Sequence, residues 1–134
     1  MMKTKVKWMG EQSYVAVDNN GLEVKISPKP QQNDMLKPPD LLLMSLGSCT
    51  GLFFLPAAKE LGLAIEHFEV VVTGEKANNP PKLFSSIHIH IDVWGQVTED
   101  KVEKAIEKGH DKCFILHSLN PDIEIKTSFE LKNS

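Results

Sequence analysis

Residues 41–58, LLLMSLGSCTGLFFLPAA, carry no charged side chain and form the most apolar stretch of the 134-residue chain. A run of that length has to be covered by something. It is close to the minimum for a bilayer-spanning helix. However, Ser45, Gly47, Ser48, Thr50, Gly51 and Pro56 interrupt it, and no second such run exists, so a buried helix of a soluble protein or dimer is the better reading. Pro38 to Asp40 suit its first turn, with Asp40 complementing the helix dipole, and Gly62 suits its C-terminal stop. Pro56 removes a backbone bond and predicts a kink. The helix is apolar nearly all round, which calls for cover on both sides. A sheet of the same chain covers one side, and a second subunit is the natural candidate for the other.

The segments around this helix read mostly as strands. KVKW and SYVAV precede the turn signal DNNG, and LEVKI follows it, with Leu22, Val24 and Ile26 on one face. This predicts a half-buried antiparallel meander. Residues 28–39 hold four prolines and read as a loop. Beyond the helix, Phe68, Val70 and Val72 share a strand face, and so do Ile87, Ile89, Ile91 and Val93. The opposite face of the second strand carries His88, His90, Asp92 and Trp94. A helix is predicted from Thr98, an N-cap type, to Lys108, with Gly109 as its stop. A short helix with Asp111 as N-cap would place Cys113 in its first turn, and IEIKTSFEL reads as a last strand. The pattern is that of a single α+β domain over residues 1–134, mostly antiparallel, with one central apolar helix.

Net charge is −3, the lysines are scattered among acids and no basic block occurs, which argues against nucleic acid as a partner. No secretory signal is visible, so a reducing cytoplasm is the expected compartment. There the two cysteines, Cys49 and Cys113, would stay reduced except for a transient catalytic disulfide. No phosphate-binding glycine loop and no nucleophile elbow is present. All fifteen basic residues are lysines, so no bidentate guanidinium contact can be made.

By its position alone Cys49 reads as an inert core residue sooner than as a reactive thiol, since mid-helix it gains little from the dipole and has only Ser48 and Thr50 beside it. Cys113, near a helix start and next to Lys112, has the better local argument for a stabilised thiolate. His88, His90 and Asp92 at alternate strand positions, and Cys113 with His117 at i, i+4, are spacings a metal could use. Alternating polar residues on a strand are more often its wet face, and no metal or other cofactor is expected.

PPDLLLMSLGSCTG, PKLFSSIHIHIDVWG and KVEKAIEKGHDKCFILHSL, in that order, resemble the OsmC/Ohr family of osmotically inducible and organic-hydroperoxide-resistance proteins. The resemblance implies an intertwined α+β homodimer with long central helices packed between mostly antiparallel sheets. It also implies a thiol peroxidase. Carried over, Cys49 attacks the hydroperoxide and Cys113 resolves the resulting sulfenic acid as a disulfide, which an external thiol reduces. Family peroxidases hold the thiolate with an arginine and a glutamate at the helix start. Here there is no arginine, Pro39 stands ten residues before Cys49, and Asp40, nine before, matches the glutamate of the other OsmC-like subgroup. Lys5, Lys7, Lys29 or Lys37 could supply point charge instead. The expected activity is therefore cysteine-based reduction of organic hydroperoxides in oxidative-stress defence. The alternative is a non-catalytic OsmC-like dimer that binds an apolar small molecule or a thiol species.

Overall fold

The computed structural model describes residues 1–29 and 34–132. The chain divides into two compact units, Met1–Leu42 and Leu43–Ser134. The first is a four-stranded sheet in the order β1 (Lys5–Trp8), β2 (Tyr14–Val17), β3 (Glu23–Ile26), β4 (Met35–Leu36). β1, β2 and β3 form the expected antiparallel meander. The DNNG turn closes because the Asp18 carboxylate accepts from the amides of Asn20 and Leu22, at 2.8 and 2.9 Å. Two expectations change here. β1 is exposed along its whole length, so this strand is not half-buried. The segment predicted as a loop over 28–39 contains β4, parallel to β3, and the helix start at Pro38, while residues 30–33 lie outside the described residues.

Helix α1 (Pro38–Glu60) continues through Pro56. It ends as the sequence indicates. Gly62 has φ +76°, its amide bonds the Lys59 carbonyl at 3.0 Å, and the Leu63 amide bonds the Ala58 carbonyl at 3.0 Å. That double bond with a left-handed residue is the Schellman arrangement, and glycine alone adopts it without a Cβ penalty.

The second unit is built on a three-stranded sheet with β6 (Phe84–Gln96) between β5 (Ala64–Lys76) and β7 (Glu124–Lys132). β5 and β6 pair antiparallel, whereas β6 and β7 pair parallel. A parallel neighbour demands a crossover, supplied here by α2 (Glu99–Lys112) and α3 (Phe114–Ser118). Ile87, Ile89, Ile91 and Val93 on the central strand are fully buried and join Leu46, Cys49, Phe54 and Ala58 of α1 and Val102, Ala105 and Ile106 of α2 in one core. Phe54 meets Phe68 edge to face, with ring centroids 5.3 Å apart.

Gly109 behaves differently from expectation. Gly109 does not stop α2, which runs on to Lys112. It is buried because α1 crosses there: a Cβ on Gly109 would lie 3.1 Å from the Phe53 carbonyl carbon and the Phe54 amide nitrogen. Gly47 and Gly51 receive the side chains of Val72 and Phe68, each 3.0 Å from where a Cβ would stand. Because α2 extends to Lys112, Asp111 lies inside it, and Cys113 is the residue that both ends α2 and caps α3.

Candidate functional site

Cys49 and Cys113 stand sixty-four residues apart in the sequence, and the fold brings their sulfurs together. Both are buried free thiols. Cys49 sits mid-way along α1, on the side that packs into the core, because Leu46, Cys49 and Thr50 share one helical face. Cys113 reaches it because Gly109, one turn earlier, lets α2 approach the α1 backbone. Burial, chiefly, and a hydrogen bond to the Cys49 sulfur push the Cys113 thiol above its ordinary value. The amides of Leu116 and Ile115, at the start of α3, oppose this without reversing it. The sequence argument for a stabilised Cys113 thiolate therefore fails, since desolvation outweighs the helix-start amides.

The hydroxyls beside Cys49 are engaged elsewhere. Ser48 donates to the Met44 carbonyl at 2.8 Å, and Thr50 donates to the Leu46 carbonyl at 2.8 Å. Each spends its one proton on the helix backbone, so neither can donate it to a sulfur. Asp40 lies half-buried in the first turn of α1, in the first unit. Lys5, Lys7, Lys29 and Lys37 also belong to that unit, and all four are exposed.

The i, i+4 pairing of Cys113 with His117 does not form a ligand set. His117 directs Nε2 to the carbonyls of His110 and Asp111, 3.0 Å from each, and so caps the end of α2. His110 was not singled out by its spacing, yet its Nε2 is buried without a hydrogen-bond partner among the described residues. Burial, the largest cause, and the nearby His117 hold its pKa below the ordinary histidine value against the pull of Asp111. The consequence for stability has a definite sign. The folded chain disfavours the imidazolium and the unfolded chain does not, so protonation favours unfolding. Stability should fall as pH drops through the ordinary histidine value near about 6.5 and level off below the depressed folded value. Urea midpoints measured across that range should show the slope, and His110→Gln should flatten it.

The profile of the OsmC-like protein family matches residues 31–128. Protein YhfA of Escherichia coli K12 is 23% identical over 132 residues, covering 97% of this chain and 98% of that protein. Organic hydroperoxide resistance protein-like 1 of Staphylococcus epidermidis is 27% identical over 128 residues, covering 91% and 89%. Among solved structures, the OsmC-like protein of Mycoplasma pneumoniae superposes with a TM-score of 0.87 at 17% identity, covering 98% of this chain and 96% of that one. That likeness carries the fold: two sheets and a long apolar helix. With the family profile spanning most of its length, this chain belongs to the OsmC-like protein family.

Proposed function

We propose that the protein is a thiol-dependent reductase of organic hydroperoxides, working through Cys49 and Cys113 in the cytoplasm. The observation that carries the reading is a pair of buried free thiols close enough for Cys49 to raise the Cys113 thiol, joined from distant parts of an OsmC-like chain. The naming of the Staphylococcus epidermidis relative for organic hydroperoxide resistance agrees with it. In the cycle, the Cys49 thiolate attacks the distal oxygen of ROOH. The O–O bond breaks, an S–O bond forms, and the departing alkoxide takes a proton to leave as ROH. Cys49 is then a sulfenic acid. Cys113, which enters as a thiol, attacks the Cys49 sulfur. Its proton leaves with the hydroxide as water, and the disulfide forms. Two electrons from an external thiol reductant restore the pair. Apolar surroundings suit an alkyl or aryl hydroperoxide and keep water from the sulfenic acid. Asp40 is assigned a supporting role at the helix start, complementing the dipole.

A homodimer is part of the proposal. Met44, Ser48 and Leu52 fall at i, i+4 and i+8 on α1, and Met44 and Leu52 remain 52% and 70% exposed. This is one stripe of a helix that is long and apolar enough to cross a membrane by length and composition. A second copy of the chain is the cover we assign to it, and Leu52→Glu should convert a dimer to a monomer in sedimentation.

The direct test is intact mass and free-thiol count before and after one equivalent of cumene hydroperoxide. Rapid loss of both thiols, with a fall in mass of two hydrogens, supports the reading. Unchanged thiols sink it and leave the second reading, a non-catalytic dimer holding an apolar small molecule or a thiol species. The specific observation behind that second reading is the absence of any arginine.

A further inference from the structure

The outer face of the β5–β6–β7 sheet, opposite the buried isoleucines of β6, concentrates charge in a way the thiol chemistry does not use. Asp92 on β6 lies in register with Glu69 on β5 and with Glu130 on β7, so three carboxylates stand abreast across three strands. Like charges directly opposed on neighbouring strands destabilise a sheet unless a cation sits among them. The adjoining positions supply imidazoles. His90 Nε2 is 3.0 Å from Asp92 Oδ1, and the side chains of His90 and Asp92 are only 29% and 18% exposed. One ligand-type atom from each of His90, Asp92 and Glu130 lies within 4.8 Å of the other two.

We propose that His90, Asp92 and Glu130 form a binding site for a divalent transition-metal ion of the zinc type. One imidazole nitrogen and two carboxylates are a donor set that zinc accepts, and three protein ligands leave a position for water.

The hydrogen bonding behind His90 fits this use. Its Nδ1 is 2.6 Å from the Ser128 hydroxyl, which is also 2.7 Å from His88 Nε2. Ser128 has a single proton to give. When it gives that proton to His88, its oxygen accepts from His90 Nδ1–H. The lone pair of His90 Nε2 then faces the two carboxylates. A metal-bound imidazole whose other N–H is fixed on an oxygen is the arrangement that orients and strengthens such ligands. Ser128 is thus the positioning residue.

A cation is already drawn to the same place. The Lys132 ammonium is 3.1 Å from Glu130 Oε2 and 3.9 Å from Asp92 Oδ1. It carries one charge against two carboxylates. A dication would displace it and neutralise both.

The test is a calorimetric titration of the full chain with zinc chloride. Cys49 and Cys113 are both changed to serine, so that no thiolate competes for the ion. The expected result is one zinc per chain and a rise in the unfolding midpoint with zinc concentration. His90→Ala and Asp92→Asn should each abolish the binding. Ser128→Ala should weaken it by about 10- to 100-fold, and Lys132→Met should tighten it. Should His90→Ala or Asp92→Asn fold poorly, Glu130→Gln, at an exposed ligand, must weaken binding in its place. The proposal is overturned by absence of zinc binding. It is equally overturned by binding that survives His90→Ala in a folded chain, or by binding lost in His67→Ala, which would assign the ion to the separate His67–Glu69 pair.

Discussion

Cys49→Ser is expected to lower organic-hydroperoxide turnover by on the order of 10³-fold or more, because a serine hydroxyl at neutral pH offers almost no anionic nucleophile to replace the thiolate. Cys113→Ser should act differently. The first step survives, a sulfenic acid accumulates on Cys49, and each further equivalent of peroxide drives it toward the irreversible sulfinic form. A single-turnover experiment with a sulfenic-acid trap separates the two. Wild type should give a disulfide and no adduct, Cys113→Ser one adduct per chain, and Cys49→Ser neither. Equal peroxide consumption by all three would remove both cysteines from the chemistry. The distinction depends on Cys113 holding its proton in the resting protein, as its burial and its contact with the Cys49 sulfur favour. In the proposed cycle a group that remains a thiol does not compete for peroxide, so Cys49 would react first and Cys113 second.

Phe54→Ala should cost about 3–5 kcal/mol of folding stability, the range for deleting a fully buried aromatic ring. Phe54 is 1% exposed, it stacks edge-on against Phe68, and its backbone lies where Gly109 lets α2 cross. The cavity would therefore open between the helix that carries Cys49 and the strand beneath it. The surrounding side chains, Phe68 among them, sit on strands and helices held by their own backbone hydrogen bonds, so little collapse can offset the loss. A chemical-denaturation midpoint measures the change. A loss below about 1 kcal/mol would mean that the core refills the space, contrary to the close packing described here.

The features that could be read from the sequence alone are those governed by local chemistry. Gly62 after Lys59 and Glu60 marks a helix end because a left-handed residue is needed there, and the amide bonds to Lys59 and Ala58 satisfy that need. The alternation in IHIHIDV marks β6 because its period of two is also the geometry of a strand with one buried face. Features that depend on a distant neighbour were not legible. Gly109 looks like a stop and is instead a clearance for the α1 backbone, a fact that lies in Phe53 and Phe54. Periodicity gives the inward face of β7 but not that it runs parallel to β6. Thr98 occupies the N-cap position as expected, yet its side chain makes no capping bond.

At the candidate site the same division holds. No spacing rule brings residue 49 to residue 113, and only the resemblance to a family suggested it. The sequence did point to His88, His90 and Asp92, since they alternate on one strand. It gave no hint of Ser128, Glu130 or Lys132. These become their neighbours only through the parallel register of β7 on β6.

The length of chain between the two thiols has a further consequence. A bond between Cys49 and Cys113 would close a loop of some sixty-four residues. Closing a loop of that size removes conformational freedom from the unfolded ensemble worth about 4 kcal/mol at room temperature in the chain-entropy account. The oxidised chain would then resist heat and proteolysis better than the reduced one. Each arriving reductant would return the molecule to its more fragile form, so that resistance to unfolding would itself record how recently the protein had met peroxide.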